Sequence, residues 1–476
     1  MDVEAQAGEP AVIDSGSGHT WIERTFGSRA FFNLWISQVG SSLGDWIGIM
    51  ATISIAGRVA GEVGTALTIM ARVLPGLLLA PVGGVLADRW DRKRTMVVID
   101  FARAFVFLPL LYFDNLYGLI LIPLLMEILA MLWAPAKEAS VPHLVPRDRL
   151  EMANSLSLAA MFGVIPIAAL IFAVLAGVSD WLARFSLFAD VTGESLAIVF
   201  DSLTYVASAM VISRLAIPRG NGKQASRTET SHKGIPWGDA WRDIKEGIRF
   251  VAQTPAIRGV MLGMSIGLLG GASIVSLGER ITSDVLGAGP SGYGLLNFGV
   301  GLGAAFGVAS VRVVSRFIPQ NMLFAGGVAI SGIAIILASL TSSLAIAVVW
   351  IAGLGFFAAP AYVTGLTILH ARATDDIRGR TFAALNTVVR LSVFGSLVLF
   401  PALAGGLDVL SRRVLGADRT FSIGSLSMFF PGSRLALLAG GIIAVLGGLM
   451  AAKAARAESP EERRRIDTVE PQTWNR

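Results

Sequence analysis

The sequence predicts an all-α membrane protein whose twelve transmembrane helices form two six-helix bundles. Three observations carry this: an apolar composition, a series of long uncharged runs, and basic residues that alternate between the loops joining those runs. Of the 476 residues, 54% are hydrophobic and 15% charged, against roughly 25% charged in an average soluble domain; the mean hydropathy is +0.65. So few charges could not cover a soluble protein of this size. Several stretches run about 18 or more residues with few or no charges, the length a helix needs to cross roughly 30 Å of hydrocarbon.

In chain order, residues 1–30 form a cytoplasmic tail. Its start is polar and acidic, with no apolar core after a basic opening, so the first span serves as its own insertion signal. Apolar runs between charged or Gly/Pro-marked breaks place spans at 31–57, 65–87, 96–113, 116–134, 153–176 and 196–213, the N-terminal bundle over 31–213. A hydrophilic linker at 214–256 follows. Within it Trp237, Trp241, Ile244, Ile248 and Val251 recur at helical spacing while Arg242, Lys245 and Arg249 take other positions, which predicts an amphipathic helix lying on the inner leaflet. Spans at 257–279, 291–311, 321–340, 344–369, 381–404 and 433–452 make the C-terminal bundle over 257–452, and a charged tail occupies 453–476. Continuous runs of this length are helices; a barrel strand alternates over about ten residues.

Charge sets the orientation. With the N-terminus inside, about 29 of the 39 basic residues fall in inner loops and tails and about 7 at the outer side. Arg72, Arg103 and Arg390 lie within spans. Both termini are then cytoplasmic. The same topology accounts for the net charge of +5, so no nucleic-acid partner is expected. Zero cysteines and four scattered histidines leave no metal cluster or thiol chemistry to read. Without a GxxxxGK[ST] phosphate loop or a GxSxG elbow, the chain is expected to be neither an ATP-driven pump nor another enzyme, and to need no cofactor.

Ionisable residues within spans mark function, because each costs several kcal/mol unless paired or hydrated. At 1.5 Å per residue, Asp45 on the ascending first span and Arg72 on the descending second reach nearly one level, roughly 20 Å from the inner face, where they can pair. Separating the pair on opening would make protonation of Asp45 depend on conformation; a static pair that fixes packing is the alternative. Glu127 lies roughly 14 Å from the inner face, with Arg103 or Arg390 as partner, and is a second proton-carrier candidate. Asp100 and Arg103 share a helix face and can bridge each other. Trp35, Trp46, Met50, Met70, Met126, Met131 and Trp133 supply soft or flat side chains suited to lining a cavity for a large apolar solute, or equally to packing.

The inner loop between the second and third spans reads GGVLADRWDRKRTMVV (83–98). Its Gly84, Asp88, Arg89, Arg92 and Lys93 follow the spacing of a signature loop, and the chain resembles the major facilitator superfamily. Asp91 stands where a second glycine is usual. A faint internal repeat agrees: Ala134, Pro135 and Ala136 near the end of the fourth span echo Ala359, Pro360 and Ala361 in the tenth. The segments LWISQVGSSLGDWI (34–47), APAKEASVPHLVPRDRLEMANSLS (134–157), FDSLTY (200–205) and RGRTFAALNTVVRLS (378–392) resemble the macrolide-efflux and enterobactin-exporter branch. The resemblance implies the major facilitator fold and a proton-driven exporter of an amphiphilic small molecule working by alternating access in the inner membrane of a bacterium; a monomer among membrane lipids is expected, with the oligomeric state left open. It also implies that Asp88 grips the start of the eleventh span near Arg378, Gly379 and Arg380. Glycines and a GP motif are expected in the fifth span of such antiporters; here Ile165 precedes Pro166. An uptake or lipid-handling carrier of the same fold, and a non-transporting scaffold or sensor, are the competing functions.

Overall fold

The structure is a computed structural model that describes residues 21–87, 91–146, 149–185, 190–216, 255–372, 375–423 and 426–456. The amphipathic helix expected at 237–251, most of both tails, and Asp88 and Arg89 lie outside these residues. A short helix α1 (Trp21–Phe26) leads into α2 (Arg29–Ala87), which holds the first two spans. They hinge at Gly61, whose φ of 62° and ψ of −155° suit only glycine. The third span is α3 (Arg92–Phe107), prolonged by a 3-10 turn at Leu108–Leu111. Asp91 begins it as an N-cap, extended at φ −64° and accepting from the Arg94 N–H at 2.8 Å, so the residue in the glycine's place performs a different local task.

The fourth span is α4 (Leu116–Ser140). The fifth is α5 (Leu150–Phe162) and α6 (Ile165–Leu182), broken at Gly163 because Pro166 falls in the first turn of α6, where its missing N–H costs no hydrogen bond. The sixth is α7 (Gly193–Ser213). The seventh comprises α8 (Pro255–Gly271), α9 (Ser273–Arg280) and a π turn at Ile281–Val285. The remaining spans are α10 (Gly289–Val314), α11 (Gln320–Ser339), α12 (Leu344–Arg372), α13 (Asp375–Leu415) and α14 (Gly432–Arg456).

Among the described residues ten helices are long and apolar enough to cross a membrane. The second arm of α2 and α3 complete twelve spans, each overlapping a run read from the sequence. An even number of crossings leaves α1 and the end of α14 on one side, the terminal end of the bundle; the opposite end is distal.

Each half has hydrophobic cores of its own. Phe31, Leu34, Met96, Ile99, Trp133 and Ile212 are buried together in the first, and Ile335, Ile351, Leu354, Phe400 and Leu437 in the second. A further cluster crosses between them: Ile47, Met50, Ile53 and Phe172 pack with Tyr293 and Leu397. Gly294 lies against Ala169 and Ala173, and Gly301 against Pro166, so the fifth and eighth spans meet backbone to backbone. These contacts fall in the middle and distal part of the bundle. At the distal end α13 continues to Leu415 and Gly416, at φ 85°, ends it. A hairpin follows, β1 (Thr420–Ile423) antiparallel to β2 (Leu426–Phe429). Buried Arg434 holds it, donating to Phe429 O at 2.6 Å and Thr341 O at 2.7 Å, while Asp408 accepts from Arg419 at 2.7 Å.

Candidate functional site

A polar cluster is built into the middle of the N-terminal half by glycine spacing. Gly44 and Gly48 lie one turn apart on the first span, and a Cβ on either would strike the Asp201 side chain; one on Gly44 would also strike Thr204 Oγ1. Their absent side chains let the sixth span close in and bury Asp201 at 1% exposure. The hydroxyl of Tyr205, four residues on and on the same helix face, donates to Asp45 Oδ1. Arg72 NH2 stands 3.7 Å from Asp45 Oδ1 and Arg103 NH1 4.0 Å from Oδ2. The Arg103 guanidinium also lies 5.2 Å from the centre of the Tyr205 ring. Four spans thus converge on one carboxylate.

A second layer surrounds that centre. Asp100 is fully buried on the third span and accepts from Ser208 Oγ at 2.7 Å. The Trp133 indole approaches it without meeting hydrogen-bond geometry. Arg103 lies in the combined field of Asp45, Asp100 and Asp201. Glu127 faces Gly76 of the second span, its Oε1 3.4 Å from where a Cβ would stand, within the field of Arg72 and Arg103. The Asp45 and Arg72 side chains keep 29% and 21% exposure, so the cluster has an open face, whereas Arg103 keeps 7%.

The other residues singled out in the sequence distribute as follows. Trp35 and Trp46 donate their indole N–H groups to Leu156 O at 2.8 Å and Met161 O at 3.0 Å, tying the first span to the fifth. Met50 and Met126 sit in helix-packing cores, and Met131 is half-buried. Arg390 is exposed, and on its helix Val393 and Leu397, at spacings of three and seven, join the cluster that crosses between the halves. That spacing puts Arg390 on the face turned toward the N-terminal half, below the point of contact. Gly84 belongs to the last turns of α2, and Arg92 and Lys93 open α3 half-buried.

Sequence reasoning missed Asp201, Tyr205 and Ser208. Their signal was present: polar groups at spacings of four and three on one face of an apolar helix. It also missed a cavity of about 460 Å³ in the C-terminal half. Met264, Leu268, Val275, Val300, Phe324 and Leu354 help to line it, and Ser331 and Tyr362 bring hydroxyls to a wall that is otherwise almost wholly apolar. Among the described residues no group of three or more metal-ligating side chains occurs.

Comparison with known proteins places these features in context. A family model described as "Transmembrane secretion effector" matches residues 24–430. The MFS-type transporter YfiS of Bacillus subtilis (strain 168) is 24% identical over 377 residues, covering 76% of this chain and 84% of that protein. A protein of the same organism named "Putative bacilysin exporter BacE" is 26% identical over 384 residues, covering 78% of this chain and 89% of its own. Among solved structures, a bacterial homologue of the human lysosomal transporter Spinster, in an inward-facing and unoccupied conformation, aligns with a TM-score of 0.66 at 17% identity, over 90% of this chain and 97% of that one. The nucleoside transporter NupG aligns with a TM-score of 0.60 at 9% identity, over 90% and 100%. At these identities the likeness is one of fold.

Proposed function

This chain belongs to the transmembrane secretion effector family of major facilitator transporters, and from that membership we propose that it exports an amphiphilic small molecule across the bacterial inner membrane, in exchange for protons. The observation that carries the proposal is the shared cluster around Asp45. Four carboxyl groups, Asp45, Asp100, Asp201 and Glu127, stand against two guanidiniums, Arg72 and Arg103. Unbalanced charge is expensive at membrane depth, so such a cluster approaches neutrality by holding protons, about two when closed. Any movement that separates Asp45 from Arg72 or Arg103, or hydrates it through its open face, changes that number. A change in bound protons between two conformations is what couples a proton gradient to them.

The geometry supports a two-sided solute site. The N-terminal half presents the charged cluster, Arg390 stands exposed on the face turned toward it, and the C-terminal half holds an almost wholly apolar cavity. A molecule with a polar head and an apolar body matches that division. With both termini in the cytoplasm, as the basic loops require, the distal contacts between halves seal the outer side and the solute enters from within. Export as the direction draws on the name of the BacE relative.

Purified protein in liposomes tests this with ethidium as the probe. Efflux should rise when a pH gradient, acid on the distal side, is imposed, and Asp45→Asn should abolish that rise. Efflux indifferent to the gradient, or an Asp45→Asn variant that still follows it, overturns the proton-exchange reading.

A further inference from the structure

At the distal end the two halves interlock through a second set of polar groups. Glu279, on α9 of the seventh span, is 5% exposed, and its carboxylate occupies the place where a side chain on Gly57 of the first span would stand. The adjacent Arg280 donates to Gly57 O at 3.4 Å. Gly57 is therefore a notch, and Glu279 fills it only while the halves touch. Facing them, Glu194 at the start of the sixth span is 4% exposed, accepts from Ser54 Oγ at 2.9 Å and lies 4.0 Å from Arg58. On its own span, Glu279 accepts from Ser283 at 2.8 Å, and Arg280 pairs with Asp284 at 3.3 Å. Tyr293 of the eighth span lies in its field. A π turn begins at Ile281, directly after the interlock, and π turns are commonly sites where a helix changes course.

We infer that Glu279 seated in the Gly57 notch is the latch that keeps the distal end shut, and that protonation of its carboxyl sets how firmly it holds. An ionised carboxylate shut into the notch loses its hydration, and a proton on it removes that cost. The charged groups around Glu279 are Arg280 and Asp284 on its own span and Glu194 on the sixth, with Arg58 of the first span reaching Glu194. Three acids against two bases leave the latch favoured by acid and loosened by alkali. The inference rests on the alternating-access reading and adds to it a gate separate from the Asp45 cluster.

The chain has no cysteine, so one introduced thiol reports cleanly. Ile53→Cys places it in the packed junction between halves, where Ile53 is 4% exposed. Labelling by a membrane-impermeant maleimide from the distal side is divided at each pH by the rate at the exposed Val63→Cys, so that the pH dependence of the thiolate itself cancels. The ratio should fall at least about fivefold as that side is acidified. In the same background, and on the same ratio, Glu279→Gln should stay protected at every pH, and Gly57→Leu, or Gly57→Ala if the larger side chain prevents folding, should label nearly as fast as the exposed thiol at every pH. Thermal melting of each purified variant checks that it is folded. Labelling that ignores pH, or a folded Gly57 variant as protected as its parent, overturns the latch. If ethidium efflux persists in that event, the carrier reading survives; if it is also lost in the cysteine parent, that reading fails separately.

Discussion

Replacing Arg103 with Met tests how the buried cluster is balanced. The guanidinium is almost fully enclosed, stands 4.0 Å from Asp45 Oδ2 and lies in the field of Asp100 and Asp201 as well. Methionine keeps much of the apolar stem and removes the charge. The excess of carboxyls over guanidiniums then rises from two to three, and breaking a buried charge arrangement by deleting one partner costs about 3–5 kcal/mol. Because Asp201 is one of the carboxyls left uncompensated, adding Asp201→Asn should recover part of the loss, a coupling of about 1–3 kcal/mol between neighbours of this kind. Thermal unfolding of the two single variants and the double variant in detergent, followed by tryptophan fluorescence, completes the cycle. A single variant that melts within about 1 kcal/mol of the parent, or a double variant in which the two losses simply add, would show that Arg103 does not hold these acids together.

Three further predictions follow from packing. Gly44→Ala should destabilise the fold by about 1–3 kcal/mol by forcing Asp201 and Thr204 away, whereas Gly40→Ala, one turn earlier with open space around it, should melt like the parent in the same assay. Gly271→Leu points a side chain into the C-terminal cavity from a position with nothing within 4 Å; its melting temperature should hold while ethidium efflux drops severalfold. Arg434→Ala removes the donor to Phe429 O and Thr341 O, each such charged hydrogen bond being worth about 1.5–3 kcal/mol, so limited proteolysis should cut the 416–431 segment faster than in the parent.

The fold was legible because a bilayer allows few solutions. A run such as 321–340, with no charge and no partner for its backbone except itself, has to be a helix, and α11 (Gln320–Ser339) occupies it. Ends were less legible: α13 runs to Leu415, past the predicted 404, because Asp408 and Arg412 on its exposed turns pair with each other and extend a helix that hydropathy alone would stop. The hairpin at Thr420–Phe429 depends on Arg434, which is far along the chain from Thr341, and no local pattern announces that. At the site, Asp45 and Arg72 could be placed at one depth by counting residues, since rise per residue is fixed. Asp201 could not be placed there, because its burial depends on the missing side chains of Gly44 and Gly48 on another span. Glu194 and Glu279 sit near span ends, where a sequence reading assigns charges to the interface; the seating of Glu279 against Gly57 across the halves is a tertiary fact.

The central claim is that the two bundles open at one end while closing at the other, and paired distances measure it directly. Spin labels at Val63 and Leu340 would report the distal end, and labels at Ser213 and Val313 the terminal end; all four residues are exposed. Acidifying the distal side should shorten the first distance and lengthen the second, with alkali doing the reverse. Two distances that stay fixed, or that grow and shrink together, would contradict the account.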